Sequence, residues 1–177
     1  MEIGIVRHFK VDYKAKKMMS SSDFEDYNIS YDNAAVIENE IDLEYSQWNK
    51  CYCSDLTRAI ITAKSIYDKE LEVTDLLREV KMYPVKKSQL KIPSFLWSIF
   101  SRIAWKLNHN SQLETVIFTR KRAKEFLSKL DLNSDKNILI VSHGFFLMTL
   151  VNELKLLGFK GDIPKKIKNG YLYILEK

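Results

Sequence analysis

Two unbroken apolar runs, Ile3-Gly4-Ile5-Val6 and Ile138-Leu139-Ile140-Val141, are too short for helices and lack the polar alternation of a half-solvated strand. Such runs mark strands buried on both faces of a sheet. Residues 50–54 form a shorter strand-like run, residues 71–79 an extended stretch ending in the carboxylate of Glu79, and residues 171–175 a closing strand after the Asn169-Gly170 turn. Between them, apolar positions three and four apart predict helices over 33–44, 57–67, 93–107 behind Pro93, 112–130 and 145–157, the last stopped by Gly158. Residues 10–28 are polar and read as a loop in which Ser20-Ser21-Ser22-Asp23 can cap a short helix. Strands alternating with helices predict an α/β fold, a three-layer α/β/α sandwich around a mostly parallel central sheet.

The chain has 177 residues, 46% of them hydrophobic, enough to bury a core without a metal or a disulfide. It runs without repeats, low-complexity tracts or linkers, so a single domain is expected. Cys51 and Cys53 are expected on opposite faces of their strand, as buried thiols in a reducing cytoplasm rather than as a disulfide or metal ligands. Met1-Glu2 leads straight into a strand, not into a basic patch and a long apolar run, so no signal peptide is expected. No stretch is apolar enough to span a bilayer, and the expectation is a cytoplasmic protein without a membrane partner. A net charge of +5 favours acidic partners, either phosphorylated metabolites or nucleic acid. The basic residues fall in separate clusters at 14–17, 86–87, 120–124 and 165–168, with no nucleic-acid module around them. Most therefore read as solvated surface, and no nucleic-acid partner is expected.

The chemistry sits at the ends of the predicted strands. Arg7-His8 follows the first, Ser142-His143-Gly144 follows the late one, Ser54 ends the run at 50–54, and Arg58 opens the helix behind it. In an open α/β sheet such positions converge, because ligands bind outside the carboxyl ends of the strands. Two histidines, two arginines and Glu79 are the parts of a phosphoryl-transfer site. An imidazole attacks phosphorus only through an unprotonated nitrogen, so a nucleophilic His8 has to stay neutral with its other nitrogen donating to a fixed acceptor. Arg7, Arg58 and His143 around it disfavour a further positive charge. The same donors fit the equatorial oxygens of a phosphoryl group, and arginine's planar fork can bond two of them at once. A protonated Glu79 would supply the proton a leaving alkoxide needs, and its carboxylate would then activate water. The amides that open the helix after His143 are expected to face the same phosphate.

These residues, in this order, resemble the histidine phosphatase superfamily, the phosphoglycerate-mutase-like group. Arg7-His8 matches the family's Arg-His-Gly motif, and residues 54–63 match its Ser-x-x-x-Arg-Ala-x-x-Thr-Ala stretch. Glu79 stands where the acid usually follows, and Ser142-His143-Gly144 closes a set that spans almost the whole chain. The resemblance implies the same architecture and a phosphatase that hydrolyses a small phosphomonoester through a phosphohistidine intermediate on His8. It implies catalytic roles for Glu79 and His143, phosphate contacts from Arg7, Arg58, His143 and Ser54, and no metal or organic cofactor. It also implies a small cap segment at 83–110, whose Phe95, Trp97, Phe100 and Trp105 either favour an apolar substrate body or pack onto the core. The compact length favours a phosphatase over a mutase.

Three positions depart from the family pattern. Phe9 replaces a glycine and is expected to bring bulk to the place where backbone approaches the phosphate. Val11 and Lys14 stand where a threonine and an asparagine are usual, and Lys14 is a candidate replacement phosphate contact. The departures leave open a catalytically inactive relative that binds a phosphorylated ligand, and a phosphomutase is a further alternative.

Overall fold

The computed structural model describes the backbone of residues 1–177 and every side chain except that of Tyr45. In chain order the elements are β1 (Glu2–Arg7), β2 (Lys10–Val11), β3 (Met18–Met19), α1 (Ser21–Asn33), β4 (Val36–Ile37), β5 (Lys50–Ser54) and α2 (Thr57–Ile66). There follow β6 (Leu71–Thr74), β7 (Ile92–Pro93), α3 (Ser94–Lys106), α4 (Val116–Ser128), β8 (Ile138–Ser142), α5 (Gly144–Leu156) and β9 (Leu172–Glu176). The chain forms two compact units, the first from residues 1–10, 36–79 and 120–177, the second from 11–35 and 80–119. The segment 83–110 lies within the second.

The first unit is built on a five-stranded sheet in the order β6-β5-β8-β1-β9. All neighbours run parallel except β9, which closes the edge antiparallel to β1. The apolar runs of β1 and β8 are unbroken because both of their faces are covered. Ile138 and Ile140 of β8, with Ile3 and Ile5 of β1, pack on Phe126 and Leu127 of α4 and on Phe146, Leu150 and Leu154 of α5. Leu139 and Val141 point the other way, onto Ala59, Ala63 and Ile66 of α2. The period of two along each strand thus divides one sheet between two helical layers, the α/β/α arrangement expected from the sequence. Gly4 serves the second of these faces by having no side chain, since a Cβ there would lie 2.5 Å from Trp48 Cη2. Cys51 and Cys53 correct the expectation of opposite faces. Two residues apart on one strand, they share a face and the same cluster with α2. Both are buried free thiols, and burial pushes the Cys53 thiol up to about 11.

The second unit holds α1 and α3. Ser20 is the N-cap of α1 in a complete capping box, its hydroxyl accepting the Asp23 amide at 3.2 Å while the Asp23 carboxylate accepts the Ser20 amide at 3.0 Å. The helix runs to Asn33, where the sequence pattern predicts a helix to begin, and residues 34–44 hold β4 and irregular chain instead. The physical reason is that α1 is polar almost all round and buries only Ser21 and Phe24, so no apolar period marks it. The expected helix at 112–130 begins late, at Val116, because the Gln112 side chain is engaged with the backbone of Tyr83 through bonds of 3.1 and 2.8 Å. In α3, Trp97 stacks on Phe24 and donates from Nε1 to the Met19 carbonyl at 2.8 Å, which makes it a core residue of this unit. Trp105 is half-buried and donates to Thr119 Oγ1, whereas Phe95 and Phe100 are exposed.

Candidate active site

The carboxyl ends of β1, β5 and β8 lie side by side. Arg7 pairs with Ser142, Cys53 pairs with Val141, and His8 extends the ladder by donating its amide to the Ser142 carbonyl at 2.9 Å. His8 and His143, 135 residues apart in sequence, consequently meet with ring centroids 5.0 Å apart and planes tilted by 52°. The first unit assembles this site from its own residues, and Arg7, His8, Ser54, Arg58, Glu79 and His143 all belong to it.

The backbone around His8 is fixed on three sides. Its Nδ1 lies 2.6 Å from the Phe9 carbonyl, and because a carbonyl can only accept, Nδ1 carries the proton and Nε2 holds the lone pair. Asn169 Nδ2 donates to the His8 carbonyl at 2.7 Å. The Phe9 amide donates at 2.8 Å to Thr62 Oγ1, which itself donates at 2.7 Å to the Arg58 carbonyl. His8 is 2% exposed, and burial first, then the Arg58 and Arg7 charges, hold its pKa down at about 3 against the raising effect of the Phe9 carbonyl.

His143 is fully buried. Its Nε2 lies 2.8 Å from Ser54 Oγ, while its Nδ1 is buried with no hydrogen-bond partner. Burial, then His8, Arg58, Arg7 and Arg122, keep this imidazole well below its ordinary pKa as well. Two neutral histidines therefore face a cationic surround. One has its Nε2 lone pair bare, and the other has an uncommitted buried nitrogen.

The arginines reach the site by different routes. Arg58, in the first turn of α2, is 3% exposed. Arg7 donates from Nη1 to the Ile167 carbonyl at 3.1 Å, and its guanidinium lies flat on Gly144, where a Cβ would stand 2.9 Å from Arg7 Cζ. A Cβ at the residue after His143 would thus displace the Arg7 guanidinium from where it lies. Arg122 was not singled out from the sequence. It sits with Cζ 4.3 Å over the Phe146 ring and donates to the carbonyls of Leu76 and Arg78 at 2.8 and 2.9 Å.

Glu79 has an additional task. Its carboxylate accepts the amides of Phe145 at 3.2 Å and Phe146 at 3.0 Å, so it caps α5. This corrects the expectation that those amides are open toward phosphate, since Glu79 occupies them. Ser142 Oγ, donating to the Leu77 carbonyl at 2.7 Å, ties the end of β8 to the turn that leads into Glu79. Beside the site, Arg78 Nε bridges both oxygens of Asp55 at 2.7 and 2.9 Å.

Phe9 overturns a second expectation. Its side chain is 1% exposed and lies in the cluster with Val6, Trp48, Ala59 and Ala63, inside the sheet–α2 layer. Among the described residues Asn108 is the one non-glycine at positive φ, so Phe9 occupies this position without glycine's backbone freedom. Val11 and Lys14 belong to the second unit, the former buried and the latter exposed. Two more residues position the chain at His8 and Phe9. Thr62 lies inside the motif stretch, where its spacing was a signal, whereas Asn169 reads only as half of an Asn-Gly turn.

The family model for the histidine phosphatase superfamily (branch 1) matches residues 3–176. No curated protein gives a significant sequence match. Among solved structures, a mycobacterial glucosyl-3-phosphoglycerate phosphatase is similar at TM-score 0.60 and 15% identity, over 99% of this chain and 89% of that one. The alpha-ribazole phosphatase of Shigella flexneri is similar at TM-score 0.53 and 16% identity, over 98% and 89%. A phosphoserine phosphatase of Entamoeba histolytica, solved with 3-phosphoglyceric acid, is similar at TM-score 0.51 and 18% identity, over 89% and 80%. At such identities the structures speak for the fold, and the family model extends from β1 to β9. The two histidines meeting at adjacent strand ends therefore have a family to which they belong: the chain is a member of the histidine phosphatase superfamily, branch 1.

Proposed function

We propose that this protein is a phosphatase that hydrolyses a small phosphomonoester through a phosphohistidine on His8. The observation that carries the reading is the His8 imidazole itself. Its Nδ1–H is tied to the Phe9 carbonyl, its pKa is held near 3, and its Nε2 lone pair stands among Arg7, Arg58 and a second neutral histidine. In the first step Nε2 attacks phosphorus, the bond from phosphorus to the leaving oxygen breaks, and Glu79 delivers a proton to that oxygen. In the second, Glu79 takes a proton from water, the water attacks the phosphohistidine, and inorganic phosphate leaves with His8 restored. Arg7 and Arg58 hold the equatorial oxygens throughout. A carboxylate oxygen has more than one lone pair, so accepting an amide at each oxygen does not by itself prevent Glu79 from exchanging a proton.

His143 has a donor's part in this scheme. Ser54 Oγ accepts the Leu56 amide at 3.3 Å, and in this reaction it gives its own proton to His143 Nε2. The ring proton then resides on Nδ1, the buried nitrogen without a partner, and is directed to a phosphoryl oxygen. The inactive-binder alternative rests on the departures at Phe9, Val11 and Lys14, and burial of the Phe9 side chain in the core weakens the first of these grounds.

Release of phosphate from an aryl phosphate tests the assignment. The wild-type chain should turn it over, and His8→Ala should lose at least about a thousandfold in kcat/KM. A protein that binds the ester without turnover would be the inactive relative instead.

A further inference from the structure

Residues 80–119 carry six basic side chains, Lys81, Lys86, Lys87, Lys91, Arg102 and Lys106, against the single acid Glu114. The whole chain has 28 basic and 23 acidic side chains, so outside this stretch 22 of each remain and cancel. The entire net charge of +5 therefore resides in one segment of forty residues.

The same segment contains a helix whose amphipathic order is inverted. Toward the interior of its unit α3 presents Trp97 with the small residues Ser101 and Ala104. Toward solvent it presents Phe95 at 60% exposure, Ile99, Phe100, Ile103 and, at its C-cap, Leu107 at 72%. Phe95, Ile99, Ile103 and Leu107 follow one another every fourth residue and form a single stripe. Lys106, three residues beyond Ile103, is exposed at its border, whereas Arg102, three beyond Ile99, is half-buried. Large exposed apolar stripes on soluble domains mark interaction surfaces, and an apolar stripe edged by lysine, in a segment of net positive charge, has the chemistry of a helix lying in a bilayer interface. No helix among the described residues is long and apolar enough to cross a membrane, so insertion to interface depth is the mode that fits.

We infer that α3 docks onto an anionic lipid surface, its apolar stripe entering the acyl–headgroup boundary and Lys106, with the other lysines of the segment, meeting lipid phosphates. Two alternative occupants match less of the surface. A second copy of this chain would bring two segments of charge +5 together, and a nucleic acid would neutralise the lysines but leave the stripe in water. An anionic bilayer satisfies both features at once. The inference uses none of the residues around His8 and stands whether or not the phosphatase reading holds. It goes beyond the sequence pattern, which cannot say which face of α3 is buried.

The test is sedimentation of the full chain with vesicles of phosphatidylcholine alone and of phosphatidylcholine mixed with phosphatidylglycerol. The protein should sediment with the mixed vesicles, stay in solution with the neutral ones, and be released by high salt. Phe95→Ser/Ile99→Ser/Ile103→Ser, which alters only exposed positions, and Lys91→Glu/Lys106→Glu should each lower partitioning at least about tenfold with unchanged thermal unfolding. Failure of the wild-type chain to bind mixed vesicles would overturn the inference, as would equal binding by well-folded variants. A wild-type dimer that the triple variant dissociates, without vesicle binding, would assign the stripe to a second copy and contradict the lipid surface.

Discussion

Ser54 Oγ lies 2.8 Å from His143 Nε2, at the ends of two adjacent parallel strands. A carbonyl, as at His8, can only accept, whereas a hydroxyl can donate or accept; in the proposed reaction Ser54 donates to Nε2 and so keeps the ring proton of His143 on Nδ1. With Ser54 donating, both rings carry their proton on Nδ1, but the tied nitrogen is the protonated one in His8 and the bare one in His143, which leaves a lone pair on the first and an N–H on the second.

Ser54→Ala should lower kcat by about tenfold to a hundredfold, the usual range when an orienting partner is removed from a functional histidine, with little change in KM. Ser54→Thr, which keeps the hydroxyl, should recover most of the loss. A purely structural serine would instead shift thermal stability and leave kcat of the folded fraction intact. Steady-state kinetics beside a melting curve separates the two.

Gly144→Ala sets a Cβ where the Arg7 guanidinium now lies. The arginine can swing away, so the fold should tolerate the change while the proposed phosphate site loses a fixed cation. The expected result is a loss of about a hundredfold in kcat/KM for a phosphomonoester with a nearly unchanged melting temperature. Gly4→Ala is the converse control. Its Cβ meets Trp48 in the core, so stability should fall by roughly 1–3 kcal/mol.

Glu79→Gln divides two functions of one side chain. An amide has a single acceptor oxygen, so one of the α5 amides now held by the carboxylate loses its partner, at a cost of about 1 kcal/mol in stability. If Glu79 also delivers the proton, hydrolysis of an alkyl phosphate should collapse while phosphorylation of His8 by a nitrophenyl ester is spared. Equal losses with both esters would confine Glu79 to the cap and move the acid to another carboxylate such as Asp75.

The depressed histidine pKa values have a definite sign. His8 has an ordinary pKa of 6.5 and a folded value of about 3, so between these the unfolded chain binds a proton that the folded chain does not. The stabilising contribution is complete above pH 6.5 and is lost as pH falls toward 3, at about 1.4 kcal/mol per pH unit for each such histidine. His143, lowered for the same first reason of burial, acts in the same direction. Urea unfolding of wild type and His8→Gln from pH 7 to pH 4 should show a shallower slope in the variant. Parallel slopes would mean that His8 is protonated in the folded protein.

Much of the site was legible in the sequence because apolar runs announce doubly covered strands, and the residues just past such strands converge whatever their distance along the chain. His8, His143, Arg7 and Arg58 were found in this way. What the pattern could not carry is orientation. Phe9 read as an obstacle at the phosphate, yet its side chain enters the layer beneath the sheet with Trp48 and Ala63. Glu79 was visible as a carboxylate, but its pairing with the amides of α5 depends on a turn tied to Ser142. Asn169 supports His8 across 161 residues because β9 returns beside β1, a contact no local pattern encodes. The polar helix α1 escaped for a simpler reason, since it buries almost nothing and leaves no apolar period to read.

The central claim is that Nε2 of His8 forms a covalent bond to phosphorus. Mixing the chain with a radiolabelled aryl phosphate and quenching within one turnover tests it most directly. The expected label is stable to base, labile to acid, localised by peptide mapping to His8, and absent in His8→Ala. Turnover of the same ester with no such label on any time scale of the reaction, or normal turnover by His8→Ala, would contradict it.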